Sequence, residues 1–185
     1  MDTDQAISQV IDGCLVGEES AVEHLIRTLS PLVQRLTYSI LDDPAEADEA
    51  TQDVLVRVVD HLYTFRREAS FTTWVSAIAL NVCRARLRRR RTRARLMQRV
   101  QGMFRSSPVP MEHPEERAIQ NEEEAAVWRA MHILTESQRE MLILRYFVNL
   151  RLAEIGQICG VSERTVRSRI HAAHDRLREL LSDHA

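Results

Sequence analysis

The chain has 185 residues, a formal net charge of −2 and 44% apolar residues, enough for one ordinary domain or two small ones. With only 5 glycines, 5 prolines and little period-two alternation, it argues against a β-sandwich, a barrel or a glycine-looped nucleotide-binding sheet. Leu, Ala, Glu and Arg dominate instead, which predicts an all-α protein.

Apolar residues at helical spacing predict a first helix over about 3–16, carrying Ile7, Val10, Ile11, Cys14 and Leu15, closed by Gly17. A second pair of helices is expected over 20–29 and 31–41. Asp43-Pro44 is a start signal, an N-cap carboxylate followed by Pro at the first helical position. The helix it opens should run to about Leu62 and bury Val54, Leu55, Val58 and Val59. A short loop, 63–70, precedes a helix that starts at Phe71 and enters an arginine run. From about Thr92 to Asn121 the periodicity weakens, and Ser106-Ser107-Pro108-Val109-Pro110 and His113-Pro114 break it, so this stretch reads as a linker. Helical sequence resumes at about Glu115, and Thr135 with Gln138 forms a capping-box pattern opening a helix to about Phe147.

Charge is distributed unevenly. Residues 1–60 hold 13 acids against 3 arginines, residues 84–105 hold 10 arginines and no acid, and residues 112–140 hold 8 acids against 3 arginines. All 25 basic residues are arginine, a side chain whose planar fork suits phosphates and base edges. No apolar run reaches the roughly 18–20 residues of a membrane span, and the acidic start Met1-Asp2-Thr3-Asp4 does not read as a signal peptide. A cytoplasmic location without membrane insertion is therefore expected. Cys14, Cys83 and Cys159 lie far apart, with no C-x-x-C pair and no ligand set with His, so buried free thiols are expected and no metal or other cofactor.

The C-terminal end is the most legible part. Leu152, Ile155 and Ile158 make an apolar stripe on a short helix, Gly160 supplies a left-handed stop, and Ser162 caps the next helix. There Val166, Ile170, Ala173, Leu177 and Leu181 mark one buried face. At about 100° per residue, Arg164, Ser168, His171 and Ala172 point away from it, with Thr165 and Arg167 on the flanks. Arg169 sits close to the buried flank, placed to pack or to reach a phosphate. This is a helix-turn-helix whose outer face carries groups suited to base edges and phosphates.

Two further strings make the chain resemble a known family. Leu134 to Phe147, Glu154-Ile155 and Gly160 to Ile170 resemble the promoter −35-binding domain of bacterial RNA polymerase sigma factors. Asp43 to Val54, Phe65-Arg-Arg-Glu-Ala-Ser-Phe-Thr-Thr-Trp74 and Ile78 to Asn81 resemble their core-binding and −10-binding domain. Two domains and a short linker are most similar to the extracytoplasmic-function group. The resemblance implies two small helical domains, 1–91 and 121–185, joined by a flexible linker over 92–120.

It also implies roles. Glu49, Gln52 and Asp53 fall on core-polymerase contact positions, opposite Val54 and Val58. Tyr63, Phe65, Arg66, Ser70, Phe71 and Trp74 match the −10 reading element, where aromatic walls with polar edges trap an unstacked base. Phe71 and Trp74 suit the core equally well. Asn81 would read −10 bases, and Arg84 and Arg88 would lie along phosphates. Arg164, Thr165, Arg167, Ser168, Arg169 and His171 would face the −35 element. Core RNA polymerase, promoter DNA and an anti-sigma factor are the implied partners, and no catalytic activity is. Departures are Ala85 where an acid is common, Asn149 for Gly, Arg151 for a Ser or Thr cap, and Ala172-Ala173-His174 for Arg-Ala-Arg. The alternative is a helix-turn-helix regulator that binds duplex DNA without polymerase. A recombinase would need a nucleophile domain that the first 90 residues do not suggest, and the arginine run and aromatic loop disfavour a decoy that never binds DNA.

Overall fold

The computed structural model describes residues 3–103, 131 and 133–182, and these are helical with short turns. They form two helical clusters. The N-terminal cluster comprises α1 (Thr3–Leu15), α2 (Glu19–Leu41), α3 (Pro44–Asp60), a 3-10 turn at Leu62–Thr64, and α4 (Phe71–Met103). The C-terminal cluster comprises α5 (Glu136–Leu142), continued by a π-helical turn at Ile143–Phe147, then α6 (Leu152–Cys159) and α7 (Glu163–Ser182).

Pro31 does not divide the second helix, contrary to the expected pair; α2 runs through it without a break. A proline inside a helix costs about 3 kcal/mol through a lost hydrogen bond and a steric clash. Here Leu25, Leu29, Val33, Leu36 and Ile40 form one buried stripe across the proline. Each such side chain contributes about 1.5–3 kcal/mol on burial, so the stripe outweighs the local penalty. At the far end Asp42 turns left-handed (φ 55°), and its N–H donates to the Tyr38 carbonyl. Asp43 then caps α3, accepting from the Glu46 N–H at 2.9 Å, with Pro44 at the first position.

Along α3, Ala47, Ala50, Thr51, Val54 and Val58 are buried, whereas Leu55 and Val59 are only half-buried. The small residues let α3 lie close against α2, where the hydroxyls of Thr37 and Thr51 pair at 2.8 Å. Ser70 caps α4 by accepting from the Thr73 N–H at 3.1 Å. The first part of α4 buries Phe71, Val75, Ala79, Leu80, Val82 and Cys83. From Arg88 to Gln98 its side chains are exposed, yet the helix continues to Met103, well past the boundary expected at 91. Arg, Leu, Gln and Ala are good helix formers, so loss of an apolar face did not end the helix. The rest of the expected linker, 104–120, and the expected resumption of helix at about 115 lie outside the described residues.

The capping box at α5 is formed in both directions. Thr135 Oγ1 accepts from the Gln138 N–H at 3.3 Å, and Gln138 Oε1 accepts from the Thr135 N–H at 3.0 Å. Asn149 adopts φ 62°, which short amide side chains tolerate. Arg151, lacking a capping hydroxyl, begins α6 differently: the Glu154 carboxylate reaches back to accept from its N–H at 2.8 Å. The clusters touch, with α6 against α4 and the turn at 143–147 against α2, and the buried apolar residues form one continuous core.

Candidate nucleic-acid interface

The helix-turn-helix is built by two glycines with different duties. Gly160 takes φ 67°, the left-handed stop of α6. Gly156 allows close approach, because a Cβ there would lie 2.8 Å from the Val161 carbonyl oxygen. Ser162 accepts from the Thr165 N–H at 3.2 Å and starts α7. Val166, Ile170 and Ala173 are buried and Leu177 half-buried; the side chain of Leu181 lies outside the described residues.

The opposite side of α7 exposes Arg164, Arg167, Ser168, His171 and Ala172, with Thr165 half-buried. Arg167 pairs with Glu163 at 2.9 Å and His171 with Asp175 at 2.8 Å, both one turn apart. Arg164 has no ion-pair partner among the described residues. Arg169, left open between packing and phosphate contact, turns inward: its Nη1 donates to the Ser137 hydroxyl at 2.7 Å and ties α7 to α5.

Around the loop 61–70 the aromatic residues separate into two groups. Phe65, Phe71 and Trp74 pack together, with centroids 5.1–5.7 Å apart. Phe71 is a core residue, whereas Phe65 and Trp74 are half-buried. Tyr63 stands outside this group, 74% exposed, edge-on to His61. Arg66 and Ser70 are exposed beside them. Arg67, at φ 59°, donates to Asp12 of α1 at 2.8 Å and fixes the loop's outer edge.

Asn81 and Arg88 are exposed on α4. Arg84 is not free for a phosphate, because Glu140 of α5 holds it through both carboxylate oxygens, with Nε at 3.0 and 3.2 Å and Nη2 at 2.6 Å. Those bonds raise the Arg84 pKa above its ordinary value. Glu140 itself is 5% exposed. Thr73 donates to Glu154 at 2.7 Å, and Arg91 pairs with Glu136. Burial acts against the Glu154 carboxylate, yet the Arg151 N–H, the Thr73 hydroxyl and the Arg151 charge hold its pKa below the ordinary value.

On α3, Glu49, Gln52 and Asp53 share an exposed strip. Sequence reasoning missed the residue behind it: Arg86, only 18% exposed, donates to Glu49 at 3.0 Å and to Asp53. Glu140 was missed as well, although its place in the apolar run Met141-Leu-Ile-Leu144 marks it as a carboxylate on a buried face. Nothing in the local pattern separates Arg86 from its neighbouring arginines. Cys83 is buried, Cys14 and Cys159 half-buried, and all three are free thiols. Among the described residues no cluster of three His, Cys, Asp or Glu could hold a metal, and no helix is long and apolar enough to cross a membrane.

With this geometry in place, comparison with known proteins is decisive. Residues 25–93 match the model of sigma-70 region 2, and residues 130–179 match that of sigma-70 region 4. The chain belongs to the ECF group of the sigma-70 family. It is 26% identical over 172 residues to the ECF RNA polymerase sigma factor SigW of Bacillus subtilis, covering 90% of this chain and 92% of that protein. It is 28% identical over 174 residues to the ECF RNA polymerase sigma factor SigC of Mycobacterium tuberculosis, covering 94% and 90%. Among solved structures, CnrH in complex with the cytosolic domain of CnrY shares the fold across all of both chains, at a TM-score of 0.70 and 21% identity. RpoE from Bartonella quintana, solved with the anti-sigma factor NepR, gives a TM-score of 0.66 at 23% identity over 86% of this chain and 96% of that one. As an ECF sigma factor, the protein directs promoter recognition and transcription initiation and has no catalytic role of its own.

Proposed function

We propose that this sigma factor divides its work between an N-terminal unit, residues 1–91, and a C-terminal unit, residues 121–185, joined through 92–120. Glu49, Gln52 and Asp53 bind core polymerase through the exposed strip they share on one face of α3. Tyr63, Phe65, Arg66, Ser70 and Trp74 capture an unstacked −10 base, with Asn81 and Arg88 on the adjacent strand, where Arg84 joins them once Glu140 releases it. Phe71 supports the pocket from within the core. Arg164, Thr165, Arg167, Ser168 and His171 enter the major groove at −35. Arg169 positions that helix through Ser137 rather than touching DNA.

The observation that carries this reading is the pairing, in one chain, of a half-open aromatic cluster at the head of an arginine-rich helix with a separate helix-turn-helix. A duplex-only regulator has no use for the first. The protein acts in the cytoplasm on promoter DNA. RpoE was solved with an anti-sigma factor, and a partner of that kind restrains this chain too.

In vitro transcription with core polymerase and a promoter library tests the reading. Transcripts that start at a common −35/−10 pair only when this protein is present support it. Tight, specific duplex binding by the protein alone, with no transcription on adding core, overturns it.

A further inference from the structure

One acid is out of place on the surface that the proposed function turns toward DNA. Arg164, Ser168, His171 and Asp175 follow one another at helical intervals, so they form a single stripe along the outer face of α7. The first three suit phosphates and base edges. A carboxylate in the same stripe repels phosphates. The core does not call for it either, since Val166, Ile170 and Ala173 supply the buried face of the helix.

Asp175 finds its partner within the stripe. Its Oδ2 lies 2.8 Å from Nδ1 of His171, one turn back along the helix, and its Oδ1 accepts from Arg178 at 3.3 Å. An ionised carboxylate only accepts hydrogen bonds, so the proton shared by the pair sits on Nδ1. In a neutral imidazole the other nitrogen, Nε2, then carries the lone pair. The His171 side chain is 79% exposed against 47% for Asp175, so the ring stands outside the carboxylate that orients it.

We propose that Asp175 is a positioning residue for His171, fixing the tautomer in which Nε2 accepts a hydrogen bond from a base amino group in the −35 major groove. The inference rests on the reading of α7 as the −35 helix. In that groove adenine N6 and cytosine N4 donate, whereas guanine O6 and thymine O4 accept. A ring with its lone pair outward selects adenine or cytosine on the strand it faces; the opposite tautomer selects guanine or thymine. Arg164 and Ser168 do not supply this choice, because a guanidinium only donates and a hydroxyl does both. Asp175 thereby adds a discrimination between amino and keto bases, and Arg178 offsets part of the charge it brings to the DNA side.

The test is selection of −35 sequences at pH 8 from a promoter library randomised over that element, with holoenzyme assembled from core polymerase and the full-length chain. The parent should favour adenine or cytosine over guanine or thymine by about fivefold at one position, in the range of a single hydrogen bond. His171→Ala and Asp175→Ala should each abolish that preference, and the double variant should lose nothing more. Asp175→Glu, which also only accepts and lies within reach at the same spacing, should restore it. A carboxylate that merely repelled phosphates or supported the helix would change affinity evenly across sequences, with no position singled out. An Asp175→Ala variant that keeps the parent's preference at every position overturns the proposal, as does a parent whose preferences His171→Ala leaves intact. A parent holoenzyme that selects no −35 sequence at all overturns the functional reading instead.

Discussion

Arg86 of α4 stands behind Asp53 of α3 and donates to its carboxylate, while its second amino group reaches Glu49 at 3.0 Å. One guanidinium thereby sets the direction of two carboxylates a helical turn apart, on the strip proposed to meet core polymerase. Arg86→Ala should free both side chains and lower core affinity by up to about fivefold, the range expected of an exposed pair worth 0.2–1 kcal/mol. Fluorescence competition for core, with Asp53→Ala and the double variant, measures the coupling. Additive effects would show that Arg86 does not position Asp53.

Arg164 and Arg169 lie on the same helix but should fail differently. Arg164→Ala is expected to cost about 1–3 kcal/mol in −35 duplex affinity, with an unchanged melting temperature. Arg169→Ala removes the bond to Ser137 and should lower the melting temperature by several degrees, about 1.5–3 kcal/mol for a hydrogen bond made by a charged group. Calorimetry and a −35 binding assay together separate the two. A wild-type melting temperature for Arg169→Ala would remove its structural assignment.

Gly156 and Gly160 make a second contrast. Gly160→Ala meets no atom within 4 Å and pays only for its left-handed backbone, about 1–2 kcal/mol. Gly156→Ala drives a methyl group against the Val161 carbonyl, so the turn itself must shift. Gly156→Ala should therefore lose −35 binding more severely than Gly160→Ala, while core binding by the N-terminal cluster persists. Electrophoretic shifts on a −35 duplex check the order; the reverse order would contradict the packing of α6 on the turn.

Burial pushes the Cys83 thiol up to about 12, with Arg86 opposing and Glu140 adding to the shift. Since the folded value lies above the ordinary 9.0, the stability this group contributes is complete below pH 9 and is lost as pH rises from there toward 12. At pH 8 Cys83 should resist alkylation in the native protein and react once the chain is unfolded. Mass-spectrometric mapping reads this directly. Native labelling of Cys83 as fast as that of Cys14 would show the site to be open.

Local chemistry carried most of the architecture. Asp43-Pro44, the Thr135–Gln138 box, Gly160 and Ser162 act on the backbone within a few residues, so each helix start or stop they predict is visible in the sequence. The face of α7 follows from spacing alone, because one stripe of Val166, Ile170 and Ala173 leaves only one outward direction. Where a local rule met a distant partner, the partner prevailed. Pro31 stays inside a helix because residues on both sides of it share a buried stripe. Arg169 and Phe71 suited two roles each, and only the positions of Ser137 and of the α4 core chose between them.

The residues that couple the parts were invisible for the same reason. Arg84 and Glu140 are 56 positions apart, and Arg86 and Asp53 are 33 apart. Sequence determined the helices, their caps and the outward face of the last one, because those depend on neighbours along the chain. Tertiary structure alone decided which arginines in the basic run meet carboxylates and which are left for another partner. An ion pair depends on distance in space, and the ten arginines between residues 84 and 105 look alike until the fold brings particular acids to some of them.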